Sequence, residues 1–149
     1  MLVIGSDHGG YELKCSIIDY LQQRQIEYQD LGTQGPESVD YPDFAAKVAA
    51  KVSQGEADAG ILICGTGIGM SISANKFIGV RAALVHDEFT AQMAREHNNA
   101  NILVMGGRVL SPELGQRLVG VWLDSEYEGG RHQNRLDKIS AIEQQQIKE

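Results

Sequence analysis

The sequence predicts an α/β protein, a three-layer α/β/α sandwich around a five-stranded parallel sheet. Short apolar runs of strand length alternate five times with longer segments whose apolar residues recur at helical spacing. Several of the runs are apolar almost throughout, which is typical of strands that helices cover on both faces of a parallel sheet. No linker or internal repeat interrupts the pattern, so one domain is predicted over residues 1–149.

The first half of the chain supplies three of these strands and two helices. The strands are predicted at residues 2–5, 26–31 and 59–64, and the helices at residues 11–25 and 42–55. In the first helix, Leu13, Ile17 and Leu21 recur on one face. Pro42 suits the first position of the second helix, because the N–H that proline lacks has no intrahelical partner there.

The second half completes a Rossmann-like sheet with strands at residues 79–85 and 101–105. A helix opens near Met70, and another follows the fourth strand with Phe89, Met93 and Ala94 facing inward. Ser111 is expected to cap the next helix. A last, mostly polar helix is predicted from Arg131 to about Lys148. Because it carries only a thin apolar stripe, residues 129–149 are interpreted as a C-terminal arm on the surface or over a partner subunit.

Composition narrows the classes of function. The chain has 149 residues, 42% apolar and 22% charged, and a formal net charge of −7, which disfavours a general nucleic-acid binder. No apolar run reaches membrane-spanning length, and the N-terminal segment lacks the pattern of a signal peptide. Cys15 and Cys64 fit no metal-ligand spacing, so no metal site is predicted. Together these features predict a cytoplasmic protein in a reducing compartment.

The most informative stretch is the glycine-rich turn that follows the third strand. Cys64 ends an apolar run, and glycines then alternate through Gly65, Gly67 and Gly69. Glycines let the backbone approach a ligand closely, and a row of main-chain N–H groups before a helix favours negative charge. The turn could therefore stabilise both an anionic sulfur and an oxyanion. The alternative is that Cys64 is a small buried residue, which free cysteine often is.

A dinucleotide-binding fingerprint is disfavoured for this turn. Met70 stands where the third glycine of that motif is needed, and the turn follows the third strand instead of the first.

Other polar residues also follow strands directly: Asp7, His8, His86 and Arg108. Right-handed crossovers bring the carboxyl ends of parallel strands to one edge, so these residues are expected there together with Cys64. Arg131 and Arg135 share a helix face and could form either a phosphate clamp or a solvated surface. His97 and Asn98 precede a strand, which places them at the opposite edge. They are either a structural helix end or part of a site that a second subunit completes.

These residues together resemble the type B ribose-5-phosphate isomerases, which share a larger family with galactose-6-phosphate and allose-6-phosphate isomerases. The matching segments are GSDHGG (5–10), DYP (40–42), CGTGIG (64–69), REHNNAN (95–101) and GGR (106–108), with Arg131, His132 and Arg135. The resemblance implies interconversion of ribose 5-phosphate and ribulose 5-phosphate through an enediolate, without a metal or cofactor. It also implies a homodimer or homotetramer whose active sites are shared between subunits.

The resemblance also implies a role for each site residue. Cys64 would be the proton-transferring base, assisted by Thr66, and His97 would open the sugar ring with Asp7 nearby. The main-chain amides of the turn would hold the enediolate oxygen: Gly65, Thr66, Gly67, Ile68 and Gly69. The sugar site would be lined by Asp7, His8, Tyr41 and Asn98, and the phosphate would be held by Arg108, Arg131 and Arg135. A hexose-phosphate isomerase and a non-catalytic nucleotide-binding module are the alternative functions.

Overall fold

The computed structural model describes residues 1–147 and confirms the predicted α/β/α class. The five parallel strands are β1 (Leu2–Ser6), β2 (Tyr28–Asp30), β3 (Ala59–Cys64), β4 (Ala82–Leu84) and β5 (Ile102–Gly106). They pair in the order β2-β1-β3-β5-β4. The six helices are α1 (Tyr11–Gln23), α2 (Tyr41–Ser53), α3 (Ile68–Ala74), α4 (Glu88–Glu96), α5 (Pro112–Asp124) and α6 (Arg131–Gln146). A short 3-10 turn, His8–Gly10, precedes α1.

Helices cover both faces of the sheet because successive strand residues point to opposite sides. Ile61 and Ile63 of β3 belong to the core cluster that contains the apolar faces of α1, α4 and α5. Leu62 and Cys64 of the same strand belong to the cluster with α2 and α3. This alternation directs the Cys64 side chain toward the side of the sheet that carries α2 and α3.

Two predictions, one about the edge strands and one about helix α4, were wrong in detail. The edge strands β2 and β4 contain three residues each, whereas longer runs were expected from the sequence. An edge strand has a neighbour on one side only, so its pairing ends earlier than its apolar pattern suggests. Phe89 was expected to face inward but is 68% exposed, and α4 buries the smaller Ala91 and Ala94 instead.

The C-terminal helix α6 lies beside the β4 edge of its own chain. His132 and Leu136 are buried, whereas Ile139 and Ile142 remain 49% and 60% exposed. The Glu143 carboxylate accepts a hydrogen bond from the Gly79 amide at 3.0 Å, which ties α6 to the segment before β4. The predicted helix end near Lys148 lies outside the described residues. In residues 1–147, no helix has both the length and the apolar character required to traverse a lipid bilayer.

Candidate active site

Cys64 ends the central strand β3 at the point where the strand connections change direction. The chain passes from β1 outward to β2 and then crosses back to β3, so the gap between β1 and β3 is a topological switch point. Open parallel sheets bind their ligands beyond the strand ends at such points. Asp7 follows β1, Cys64 closes β3, and Arg108 follows β5, as the sequence predicted.

A cavity of about 400 Å³ opens in front of Cys64. Its lining consists of Asp7, Tyr41, Cys64, Gly65, Thr66, Ile68, Gly69, Ile72 and Arg108. Most of the residues predicted for the site therefore meet in one place. Ile72 was not anticipated, because its position on the first turns of α3 has no distinguishing mark in the sequence.

The glycine turn directs two of its amides at neighbouring side chains. The Gly67 N–H donates to Cys64 Sγ at 3.2 Å, and the Ile68 N–H donates to Thr66 Oγ1 at 3.3 Å. The amides of Gly65, Thr66 and Gly69 have no hydrogen-bond acceptor among residues 1–147. Gly65, Thr66 and Gly69 all line the cavity, so their amides are the candidates for holding an oxyanion there.

Two glycines of the turn are required by its geometry. Gly67 has a φ of +82°, and a Cβ there would lie 3.0 Å from the carbonyl carbon of Met105. Gly69 faces the ring of Tyr41, and a Cβ there would lie 2.5 Å from the Tyr41 Cζ. The absence of side chains thus lets the turn lie against β5 and lets Tyr41 reach the Cys64 cavity.

Replacing Gly67 by alanine should lower the free energy of unfolding by about 2–5 kcal/mol, since left-handed backbone costs about 1–2 kcal/mol and overpacking about 1–3 kcal/mol. Gly55→Ala is the matched control, because Gly55 has a φ of +77° but nothing within 4 Å of a Cβ. The Gly55→Ala control should lower the free energy of unfolding by about 1–2 kcal/mol. Urea unfolding measures both values, and equal losses would contradict the predicted clash with β5.

Asp7 and His8 are oriented by hydrogen bonds to the main chain. The Asp7 side chain is buried, and its Oδ1 accepts from the Gly10 amide at 3.0 Å. His8 Nδ1 accepts from the Val39 amide at 3.2 Å, so the neutral ring carries its proton on Nε2 and can donate it to a ligand. His8 lines a second cavity, of about 450 Å³, beside the first.

Arg108 connects the two cavities. Its guanidinium lies against Gly9 and Gly65, and the residue lines both the Cys64 cavity and the His8 cavity. Within the part of the chain that the structure describes, Arg108 has no carboxylate partner. An exposed arginine without a counterion, next to histidine, suits a phosphate.

The remaining predicted residues lie at the opposite end of the sheet. His97 caps the C-terminus of α4, and Asn98 lines a cavity of about 270 Å³ with Arg81 and Ala82 at the start of β4. Strands rise about 3.3 Å per residue, so the length of β5 separates this end from Cys64 by roughly 15 Å. None of the four residues lines the Cys64 cavity of its own chain: His97, Asn98, Arg131 and Arg135. His86 also lines neither that cavity nor the His8 cavity.

His97 and the start of α6 form one cluster. The rings of His97 and His132 stack with centroids 4.1 Å apart and planes 17° from parallel. Glu128 lies at the edge of both rings, with Oε1 3.6 Å from His97 Nε2 and Oε2 3.9 Å from His132 Nε2. Arg131 and Arg135 are exposed beside this cluster. Sequence analysis missed Glu128, because nothing in the sequence links it to the end of α4.

This cluster is poorly suited to a metal ion, although its ligand atoms lie within 4.8 Å of one another. A metal would have to lie about 2.0–2.1 Å from each nitrogen and near the plane of each ring. The two stacked rings are almost parallel, so a single ion cannot lie in both planes. The exposed guanidinium groups of Arg131 and Arg135 also disfavour a cation. The arrangement fits a carboxylate in ion-pair contact with two imidazoles.

Burial lowers the pKa of His132, and the neighbouring His97 and the positive charge of Arg131 lower it further. The unfolded chain, with a histidine pKa near 6.5, therefore binds this proton more readily than the folded chain. Consequently, the free energy of unfolding should fall as the pH drops from about 7.5 to about 5.5. The decrease should be smaller in His132→Phe, measured by urea unfolding at each pH. Identical pH dependence in the two proteins would contradict this assignment.

The fold and the site define a class of protein: an α/β enzyme with a cysteine, a carboxylate and an arginine around a small cavity at the switch point of its sheet. The chain belongs to the ribose/galactose isomerase family, whose family model matches residues 2–139. It is 49% identical over 143 residues to ribose-5-phosphate isomerase B of Escherichia coli (strain K12), covering 96% of each chain.

Solved structures agree with this assignment. Ribose-5-phosphate isomerase B of Clostridium thermocellum superposes with a TM-score of 0.96 at 53% identity, covering 98% of this chain and 99% of the other. The enzyme of Mycoplasma genitalium with bound ribulose-5-phosphate superposes with a TM-score of 0.92 at 46% identity, covering 96% and 95%. The resemblance inferred from the sequence motifs is therefore confirmed.

Proposed function

We propose that this protein interconverts D-ribose 5-phosphate and D-ribulose 5-phosphate through an enediolate. The observation that carries the proposal is Cys64 Sγ, which accepts the Gly67 N–H at 3.2 Å and faces a cavity. The amides beside it have no acceptor in residues 1–147. Family membership and the ribulose-5-phosphate bound by the Mycoplasma genitalium relative support the choice of substrate.

Proton transfer is assigned to Cys64. Its thiolate takes the proton from C2 of the open-chain aldose, and the charge moves to the carbonyl oxygen O1. The amides of Gly65, Thr66 and Gly69 hold that oxygen. The thiol then returns a proton to C1 while the hydroxyl proton passes from O2 to O1, which gives the ketose. Removal of a single oxyanion donor typically costs about 10²- to 10³-fold in rate, so the turn contributes as much as the base.

Ring opening and phosphate binding are assigned to residues of two subunits. His97 donates a proton to the ring oxygen. Asp7 lies at the Cys64 cavity and binds the sugar hydroxyls with His8 and Tyr41 of the same chain, and a second chain contributes Asn98 together with His97. Arg108, Arg131 and Arg135 hold the phosphate, whose binding energy orients the reacting carbons. Because His97 and the Arg131–Arg135 face lie together but away from Cys64 of their own chain, we propose that they complete the site of a partner subunit.

A homodimer or homotetramer also accounts for exposed apolar side chains. Ile139 and Ile142 of α6 are half exposed, and they line a cavity of about 570 Å³ together with Ile78. A second copy of the chain that covers this face would bury them. The free thiols of Cys15 and Cys64 support a reducing setting, so we place the protein in the cytoplasm.

Turnover on three substrates tests the proposed function. The kcat/KM for ribose 5-phosphate should exceed those for galactose 6-phosphate and allose 6-phosphate by about 10-fold or more, since one carbon in a fitted pocket changes specificity by about 10- to 200-fold. Greater turnover of a hexose phosphate would overturn the pentose assignment. Absence of any isomerisation, together with tight nucleotide binding in calorimetry, would favour a non-catalytic nucleotide-binding module.

A further inference from the structure

We propose that Glu128 is a positioning residue, which together with His132 orients the His97 imidazole for opening the sugar ring. This inference rests on the proposed function, because it gives Glu128 a part in one step of that reaction. The three side chains come from the end of α4 and from the start of α6. The His97 and His132 rings stack on each other, and the Glu128 carboxylate contacts both of them.

The loop before α6 holds Glu128 at the end of α4. The Glu128 amide donates to the Glu96 carbonyl at 3.0 Å, one residue before His97. The first turn of α6 then begins directly after the loop, and the His132 amide donates to the Gly129 carbonyl at 3.1 Å. These main-chain bonds place both the carboxylate and the second imidazole against His97 without help from a ligand.

His97 is restrained on one ring face and at one nitrogen. His132, which is only 5% exposed, stacks on the ring face, and the Glu128 carboxylate lies 3.6 Å from Nε2. The Nδ1 of His97 has no hydrogen-bond partner in the described range of the chain, which leaves it free for a substrate. A carboxylate that orients an imidazole in this way fixes which nitrogen serves the reaction.

Charge supports the same assignment. A general acid must be protonated before it acts, and a protonated His97 would lie in a cluster that also carries the cationic, exposed Arg131 and Arg135. Glu128 is the carboxylate that faces both imidazoles, so its negative charge offsets this repulsion. After His97 gives its Nδ1 proton to the ring oxygen, the neutral ring keeps its Nε2 proton toward Glu128.

The two substrates allow ring opening to be measured separately from proton transfer. Ribose 5-phosphate is a cyclic hemiacetal and must be opened. Ribulose 5-phosphate cannot form the corresponding ring, because the oxygen on its C5 carries the phosphate. Exchange of the C1 hydrogen of ribulose 5-phosphate in D₂O, followed by proton NMR, therefore reports proton transfer alone. The steady-state rate on ribose 5-phosphate reports both steps.

Glu128→Gln should lower turnover of ribose 5-phosphate by about 10- to 100-fold, the usual effect of losing a carboxylate that orients a histidine. Exchange with ribulose 5-phosphate should stay within about twofold of the wild type. His97→Asn should likewise lower turnover of ribose 5-phosphate and leave exchange with ribulose 5-phosphate intact. The variant that carries both Glu128→Gln and His97→Asn should be no slower than His97→Asn, since the two residues act as a unit. Turnover of ribose 5-phosphate by Glu128→Asp should lie between that of the wild type and that of Glu128→Gln. Glu126→Gln is the control, because Glu126 is exposed in the same loop and lies outside the cluster.

Equal losses in both assays for Glu128→Gln would mean that Glu128 only supports the fold, and no loss in either would mean that it has no role. Both results would overturn the inference. Failure of the proposed function looks different, because the wild type would then show no isomerisation, or Cys64→Ala would retain exchange. If circular dichroism shows that Glu128→Gln is poorly folded, the test uses Glu128→Asp instead. The ratio of its turnover of ribose 5-phosphate to its exchange rate with ribulose 5-phosphate then decides whether Glu128 acts in ring opening.

Discussion

Replacing Cys64 by alanine should lower isomerisation of ribose 5-phosphate by about 10²- to 10⁴-fold, the contribution typical of a positioned general base. The alanine removes the thiol that we assign to take the C2 proton, while Arg108 and Tyr41 still line the cavity. Substrate binding should therefore be retained. The loss should appear in kcat from a coupled assay, and the dissociation constant from calorimetry should change little.

Cys15→Ala is the matched control for the thiol. Cys15 lies exposed on α1, and it lines neither the Cys64 cavity nor the His8 cavity. Its replacement should leave kcat near the wild-type value. A strong loss in Cys15→Ala, or full activity in Cys64→Ala, would show that the wrong cysteine was chosen. Complete absence of solvent deuterium in the product of the wild-type enzyme would favour a hydride shift or a shielded proton.

Mixed dimers of Cys64→Ala and His97→Asn should recover activity that neither variant has alone. If His97 serves the site of its neighbour, each hybrid dimer contains one site with both residues intact. Random pairing of equal amounts then restores about a quarter of the wild-type activity. The variants can be co-expressed with different affinity tags, so that the hybrid is isolated and its rate per site is measured.

The informative control pairs Cys64→Ala with Arg108→Ala. Both residues line the same cavity of one chain, so no hybrid site keeps both, and activity should not return. Pairing Cys64→Ala with Arg131→Ala should restore activity, because Arg131 begins α6 beside His97, which caps α4, and away from Cys64 of its own chain. Isolated hybrids of Cys64→Ala and His97→Asn that remain inactive would show that His97 does not act across the subunit boundary.

Much of the fold could be predicted because it depends on local pattern and on topology. The apolar runs identified β1, β3 and β5 nearly to the residue, and parallel pairing placed their carboxyl ends together. Asp7, Cys64 and Arg108 consequently meet at one cavity. The edge strands and the inward direction of Phe89 were predicted less well, because the neighbours that decide burial are distant in the chain.

The sequence by itself determined a parallel α/β sheet with Cys64 and a glycine turn at the carboxyl edge of its strands, since strand periodicity and the handedness of crossovers act on neighbouring segments. It also identified the family through motifs that the structure brings together only in part. Tertiary structure alone decided that Glu128 joins His97 to His132 and that this group lies at the far end of the sheet from Cys64. The reason is that the contact depends on how α6 packs beside α4, which no local pattern encodes.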